Sequence, residues 1–463
     1  MPRTTLALTS FVSGEFSPKM DGRTDFEKYS SGAKTLENFL VHPQGAATRR
    51  VGTQFIAEVK SSAAKTRLIP FEFSTTQTYI LEFGNTYIRF YKDKGQILSS
   101  GSAYEISSPY LTAELFDIKF AQSADVMYIT HPNHEVMKLS RTGHTSWTLA
   151  EVDFTDGPYL ATNSTTTTLT PASAGVATGV NITASAVTGI NGGAGFLATD
   201  VGRIISFNGG KAKITARTST TVVVCTITTA FTNTNATAAF NLGAFSDTTG
   251  HPSCVSFFEQ RLVFAGTTDE PQTLFFSKAG DYQNMTTGTN ADDAMVYTIA
   301  SNQVNAIRYM KAVRTLVVGT TGGEFTVSAD GTDASITPTN ITIKRQSSFG
   351  SANVDAIPAG NAILFLQKAK RKIRELQYNF DSDGYQAPDL TILNETVTDT
   401  GINEMSYQQE PVSNIWCVRD DGVLACLTYQ RSENVIAWSR HIFGGVFGSG
   451  NAVCESVASI SGT

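Results

Sequence analysis

The chain has 463 residues, of which 16% are charged, and its formal net charge at pH 7 is −6. This length allows several cores or one large toroidal core. The acidic balance excludes a strongly basic surface for gripping nucleic acid, although it does not forbid a wall past which nucleic acid slides. No stretch reaches the roughly 18 apolar residues of a transmembrane helix.

The first residues lack the sustained apolar region of a secretory signal, so we expect a protein that is not exported by the usual route. The five cysteines form no Cys-x-x-Cys pair. In a chain of this length they are expected to be free thiols from a reducing compartment.

Residues 1–66 differ from the rest of the chain. Repeated glycines, such as Gly14, Gly22 and Gly32, predict an extended N-terminal arm for assembly contacts, with one short helix within 24–39. Scattered aromatic residues suit a clamp that orders on binding, because aromatic side chains dominate interface energetics. We therefore expect the arm to pack on a neighbouring subunit or on another protein rather than on its own core.

A strand–turn–strand pattern follows the arm and returns about every 50 residues. Self-similarity of strands at a fixed period of this size is typical of a β-propeller. The sequence therefore predicts an all-β fold with a propeller of about six blades, in two parts at 67–157 and 250–463. The repeats begin near residues 68, 117, 254, 307, 362 and 415.

One step between repeats is much longer than the others, and composition explains it. Residues 158–249 are rich in Thr, Ala, Ser, Gly and Asn, and they contain strand patterns at 201–214 and 221–227. Removing this segment restores the common period. We expect an inserted small β-barrel or sandwich domain. The final pattern, at 456–463, predicts a strand that closes the ring against an early strand, or else a natural chain that continues.

Several motifs resemble metal-binding or phosphate-binding sites, but each lacks a residue that such a site requires. His131 and His134 are three residues apart in a turn, but a metal site would need a third ligand and none is adjacent. The loop at 381–384 lacks a calcium ligand, and the glycine-rich turn at 319–324 lacks the Gly-Lys-Ser/Thr ending of a phosphate loop. No catalytic, cofactor-binding or metal-ligating residue is assigned, and we expect no enzyme. The basic run at 368–372 is either a solvated turn or a contact with DNA or a partner.

The arm also carries a resemblance to a known family. Its segments resemble the start of the tail nozzle (tail tubular protein B) family of short-tailed phages, where an arm precedes the first blade. Here Val51 replaces the proline of the family's Arg-Pro-Gly-like turn. The segments that carry the resemblance are 14–18, 21–25, 34–39 and 45–53.

The resemblance implies a structural component of a bacteriophage virion tail. It implies a homohexameric ring below the portal and adaptor, through which genomic DNA passes at ejection without sequence-specific binding. The implied partners are further copies of the chain, the tail adaptor and the tail fibres. A neutral to acidic lumen suits such a conduit. The expected interface residues of the arm are Phe16, Phe26, Tyr29, Phe39, Arg49 and Arg50.

Two alternative functions stay open at this stage. One is a propeller-type glycan depolymerase on the virion surface, which would need convergent carboxylates at the mouth of the propeller. The other is a glycan-binding propeller without catalysis.

Overall fold

The structure is a computed structural model that describes residues 8–301, 303–331, 334–448 and 450–461. Within these residues, six antiparallel sheets form the blades: five have four strands, and the first has a fifth short strand, Gly95–Gln96, beside its four main strands. We number the blades 1 to 6 in chain order. Blade 1 consists of Arg67–Ser74, Gln77–Gly84, Tyr87–Lys92 and Glu105–Ser107; blade 2 of Lys119–Ser123, Val126–His131, His134–Gly143 and Ser146–Glu151; and blade 3 of Cys254–Phe258, Arg261–Ala265, Thr273–Phe276 and Met295–Thr298. Blade 4 consists of Ile307–Ala312, Leu316–Thr320, Gly323–Ala329 and Ile341–Ser347; blade 5 of Ile357–Ala359, Ala362–Leu366, Ile373–Asn379 and Gly384–Gln386; and blade 6 of Ile402–Gln408, Asn414–Arg419, Leu424–Gln430 and Val435–His441.

These sheets confirm the predicted propeller. The second strand of blade 3, Arg261–Ala265, is buried along its whole length. Such continuous apolar strands arise because each blade is covered by a neighbour on both faces. Accordingly, the apolar clusters lie between successive blades: one joins blades 1 and 2, one joins blades 3 and 4, and one joins blades 5 and 6.

Two predicted blade starts were wrong. The patterns near 362 and 415 are second strands, and the first strands of these blades are Ile357–Ala359 and Ile402–Gln408. The first is short and contains Pro358, which donates no hydrogen bond to a ladder. The second carries polar residues such as Asn403 and Glu404 because it faces the centre of the ring.

The predicted insertion forms a six-stranded sheet of its own. The order of the strands is Leu169–Pro171, Val180–Ala184, Val222–Thr229, Gly210–Arg217, Ile204–Phe207 and Phe240–Leu242. A bridge between Leu169 and Thr237 links the two edges, so the sheet curls into a small barrel around one apolar cluster. The incoming and outgoing chains lie side by side, since the Leu160 amide donates to the Leu242 carbonyl at 2.9 Å.

The arm has no α-helix in its described part. The expected helix within 24–39 is a short 3-10 helix, Glu27–Ser31, which Gly32 follows. A second 3-10 helix spans Pro18–Met20. Short strands pair Gly14–Glu15 with Gly32–Ala33 and Phe39–Val41 with Ala47–Arg49. No helix of the described residues is long and apolar enough to cross a membrane.

Candidate functional site

The arm docks on the outer strand of blade 6 of its own chain. Leu36 and Asn38 bracket Arg440, whose amide donates to the Leu36 carbonyl at 3.0 Å and whose carbonyl accepts from the Asn38 amide at 2.7 Å. The Asn38 side chain also accepts from the Ile442 amide at 3.0 Å. Asn tolerates the left-handed backbone (φ 60°) that this contact requires. The arm thereby covers an edge strand that would otherwise be exposed.

The segment at 14–18, which carries part of the family resemblance, has a structural role in this docking. A Cβ atom on Gly14 would lie 2.2 Å from the Trp438 backbone nitrogen, so only glycine permits the approach. Glu15 forms an ion pair with Arg440 at 2.8 Å and accepts from the Leu36 amide at 2.7 Å. The motif therefore fastens the arm to blade 6.

The expected interface residues separate into two groups. Phe16 is buried in its own chain, where its ring stacks on Tyr29 with centroids 6.2 Å apart. Arg50 lies over the Phe443 ring at 5.0 Å. The expectation that the arm leaves its own core is thus wrong for these residues. Two of the glycines that predicted an extended arm, Gly14 and Gly32, are close-packing positions: a Cβ on Gly32 would lie 2.0 Å from the Phe16 ring.

The second group remains at the surface. Phe26 is 37% exposed and Phe39 is 40% exposed, and Arg49 is exposed. The next segment presents Val51 and Phe55, which is 77% exposed. Exposed aromatic and aliphatic residues concentrated in one segment are typical of an interaction surface. We call residues 39, 49 and 51–56 the arm surface.

The centre of the propeller is filled by side chains and by the C-terminal segment. Lys311 forms an ion pair with Asp355 at 3.0 Å, and Lys119 lies 3.7 Å from the same carboxylate. Burial lowers the pKa of Lys119. Burial would raise the pKa of Asp355, but the two ammonium groups outweigh it and hold this pKa below its ordinary value. The remaining space is a cavity of about 200 Å³.

The C-terminal segment runs between the first strands of blades 1 and 6. Ser456 accepts from the Leu68 amide at 3.0 Å and donates to Glu404 at 2.6 Å. Ser459 forms a hydrogen bond with Ser406 at 3.0 Å. The predicted contact with an early strand is therefore present, but these residues form side-chain bonds instead of a strand ladder.

A cluster of two histidines and one glutamate, residue types that can ligate a metal ion, lies at the junction of blades 1 and 2. His131 ends the second strand of blade 2 and His134 begins the third, so the predicted polar turn is confirmed. The structure adds Glu114, which immediately precedes the 3-10 helix Leu115–Asp117 in the linker between the blades. One ligand atom from each of these three residues lies within 4.8 Å of the other two. Glu114 was missed because it is 20 residues from His134 and no local pattern links them.

The environment of this cluster is mostly buried. His134 Nε2 lies 2.8 Å from Glu114 Oε2, which also accepts from the Leu111 amide at 2.9 Å. Burial, followed by the charge of His134, lowers the pKa of His131. Burial would raise the pKa of Glu114, but the Leu111 amide and His134 outweigh it and lower this pKa.

A pair of carboxylates meets between blade 2 and the barrel. Burial and a hydrogen bond with Glu151 raise the pKa of Glu135 to about 7. Glu135 and Glu151 are 16 residues apart, so no local pattern indicated this pair. The adjoining cavity, also lined by Lys213 and His251, has a volume of about 70 Å³. Ligand pockets usually have several hundred Å³, so this space is too small for a sugar ring.

The other loops with candidate motifs, at 381–384, 319–324 and 368–372, form ordinary turns. Asp383 accepts from the Tyr378 hydroxyl at 2.6 Å, and Thr320 closes its glycine-rich turn by donating to the Gly323 carbonyl at 2.7 Å. In the basic run, Lys370 contacts Asn403 and Lys372 contacts Asp389. All five cysteines are free, as predicted.

No protein-family model matches the chain, and no curated protein matches it. Similar solved structures include YCF48 bound to a D1 peptide, at 8% identity and a TM-score of 0.36, over 82% of this chain and 81% of that one. BamB from Moraxella catarrhalis is 7% identical over 83% and 74% of the two chains, with a TM-score of 0.32. Apo AztD from Citrobacter koseri is 6% identical over 76% and 77%, also with a TM-score of 0.32. At these TM-scores the similarity supports no conclusion about this chain. The fold is assigned from the order of the strands in the sheets.

Proposed function

We propose that this protein is a non-enzymatic structural component of a bacteriophage virion tail. In this proposal, copies form a hexameric nozzle below the portal and adaptor, and genomic DNA is ejected through the ring. The observation that carries the proposal is the arm, because its segments resemble the start of the tail nozzle family and it presents the arm surface to solvent.

The exposed residues of the arm support a lateral contact between copies. Phe55 is exposed, and the next residue, Ile56, lines a groove of about 740 Å³ together with residues that include Phe443 and Ile460. This groove lies between the arm, blade 1 and the C-terminal segment. Apolar anchors next to a concave apolar surface are the usual centre of a protein interface. A neighbouring copy, the adaptor or a fibre would cover this surface in the virion.

The filled centre of the propeller supports a particular route for DNA. Lys119, Lys311 and Asp355 converge there with the C-terminal segment, so the proposed conduit is the hole between copies and not the propeller channel. The net charge of −6 suits a wall that does not bind its cargo.

The test uses two matched surface variants of the full chain. Phe55→Ser changes the arm surface, and Phe380→Ser changes a side chain that is 86% exposed on a blade 5 turn. We expect Phe55→Ser to remain folded by circular dichroism but to lose ring formation by electron microscopy and incorporation into particles. Phe380→Ser should assemble normally. Equal assembly of both variants would reject the arm surface, and cleavage of a host glycan by the monomer would favour the depolymerase alternative.

A further inference from the structure

We propose that Glu114, His131 and His134 form a binding site for a divalent zinc ion. This inference is independent of the proposed function, because it depends only on side chains at one junction within a single chain. The three residues supply two imidazoles and one carboxylate, a ligand set that zinc uses in proteins when a fourth position is left for water or another ligand.

The distances fit a site that closes through small side-chain rotations. The ligand atoms of the three residues lie within 4.8 Å of one another. Around a tetrahedral zinc ion with ligand bonds of about 2.0–2.2 Å, neighbouring ligand atoms are roughly 3.3 Å apart. The ligand atoms of Glu114 and His134 are closer than this, at 2.8 Å, and would separate by about half an ångström to hold the ion. Only His131 has to approach, and its ring centroid is 5.0 Å from that of His134.

Unpartnered polar atoms provide independent evidence for a ligand. His131 is 1% exposed, and its Nε2 atom has no hydrogen-bond partner among the described residues. The hydroxyl of Tyr110 is likewise buried without a partner in the described part of the chain, and its ring is 5.2 Å from that of His134. Buried polar groups in native proteins are nearly always satisfied, so two orphans in one cluster indicate a missing ion or water.

The protons can be accounted for when zinc binds. The Asn133 amide donates to His131 Nδ1 at 3.2 Å, so the neutral ring carries its proton on Nε2. Ligation through Nε2 moves this proton to Nδ1 and ends the Asn133 contact. At His134, zinc replaces the Nε2 proton that points to Glu114, and this proton moves to Nδ1, or to solvent if the ring is charged. The ligating carboxylate stays in place because the Leu111 amide holds it at 2.9 Å.

The position of the site would let a bound ion link two blades. Glu114 lies in the linker from blade 1, whereas both histidines belong to the second turn of blade 2. An ion held by all three would fasten the linker to that turn and fix the angle between the two blades. The side chains of His134 and Glu114 are 22% and 18% exposed, so the ion can enter from solvent without unfolding of the blade.

The experiment measures zinc on the full-length chain after removal of metal with a chelator. Zinc chloride is added, excess ion is dialysed away, and bound metal is counted by mass spectrometry. The ligand variants are Glu114→Gln and His134→Gln. The matched controls are Glu72→Gln and His144→Gln, which change exposed residues of blades 1 and 2. Cobalt(II) substitution gives a visible spectrum that reports four-coordinate nitrogen and oxygen ligation.

We expect one zinc ion per wild-type chain, a higher melting temperature with zinc, and at least roughly 100-fold weaker binding in each ligand variant. The controls should bind zinc as the wild type does. Circular dichroism tests whether the variants fold. If either ligand variant does not fold, His134→Asn is measured in its place. Less than a tenth of an equivalent on the wild type at micromolar zinc, or equal zinc on the ligand variants, would overturn the proposal.

Discussion

The guanidinium of Arg67 donates through Nε to Glu404 Oε1 at 3.1 Å, and this contact joins the first strand of blade 1 to the first strand of blade 6. Both side chains are buried. Arg67 also donates to the carbonyls of Leu115 and Ile118, at 2.8 and 2.7 Å. One arginine thus ties together the linker of blades 1 and 2 and the closure of the ring.

Removal of this arginine should open the ring. In Arg67→Met the Glu404 carboxylate stays buried without its cation, and breaking a buried ion pair in this way usually costs about 3–5 kcal/mol. The midpoint of urea unfolding should fall accordingly. Arg67→Met combined with Glu404→Gln should be less destabilised than Arg67→Met, because the unpaired charge is gone. Lys92→Met, which breaks a pair with exposed Asp93, should cost less than about 1 kcal/mol. Equal losses for Arg67→Met and Lys92→Met would contradict the closure.

Docking of the arm should depend on Gly14 more than on Gly22. Both glycines have a positive φ, of 69° and 77°, so alanine strains the backbone at either position by about 1–2 kcal/mol. Only at Gly14 does the added Cβ meet the Trp438 backbone, whereas nothing lies within 4 Å at Gly22. Gly14→Ala should therefore release the arm and speed tryptic cleavage after Lys19 and Arg23. If Gly22→Ala is cleaved equally fast, backbone strain alone explains the effect.

The barrel should be removable from the propeller. Replacing residues 161–241 with two glycines joins Leu160 to Leu242, which are already hydrogen-bonded neighbours at 2.9 Å. The shortened chain keeps Ala244, which belongs to the apolar cluster of blades 2 and 3. We expect a single cooperative thermal transition and a native β spectrum by circular dichroism. Aggregation or an unfolded spectrum would mean that the barrel supports the blades.

Stability should decrease with rising pH through the titration of Glu135. Its pKa is raised from 4.5 to about 7 in the folded chain, so between these values the folded state binds more protons than the unfolded state. The stabilising proton is retained below about pH 4.5 and is lost as the pH rises towards 7 and above. Glu135→Gln should remove this contribution, so the difference in melting temperature between variant and wild type should grow from pH 5 to 8. A constant difference, as expected for exposed Glu72→Gln, would contradict the raised pKa.

Local patterns were sufficient to predict the propeller and the barrel. Apolar alternation and turn residues such as Asp420–Gly422 act within a few residues, and the hairpin Asn414–Arg419 with Leu424–Gln430 follows directly from them. The two wrong blade starts have local causes: one first strand is only three residues long and contains Pro358, and the other carries polar residues such as Asn403 and Glu404 that break the apolar pattern.

The candidate sites depend on contacts between distant residues, which one sequence does not reveal. Leu36 meets Arg440 across some 400 residues, so the docking of the arm had no local signal. The same reason explains why Glu114 was not predicted as part of the cluster with the two histidines. Its position three residues after Leu111 indicates only a local hydrogen bond from the Leu111 amide. The exposed Phe39 and Arg49 stay predicted interface residues, whereas Phe16 is occupied within its own chain.

The most direct test of the proposed function is a cryo-electron microscopy reconstruction of the intact virion tail. We predict six copies of this chain in a ring below the adaptor, with the arm surface around Phe55 covered by a neighbouring subunit and the DNA path between the copies. Density for the chain outside the tail, or an isolated monomeric protein that cleaves a host glycan, would contradict the account.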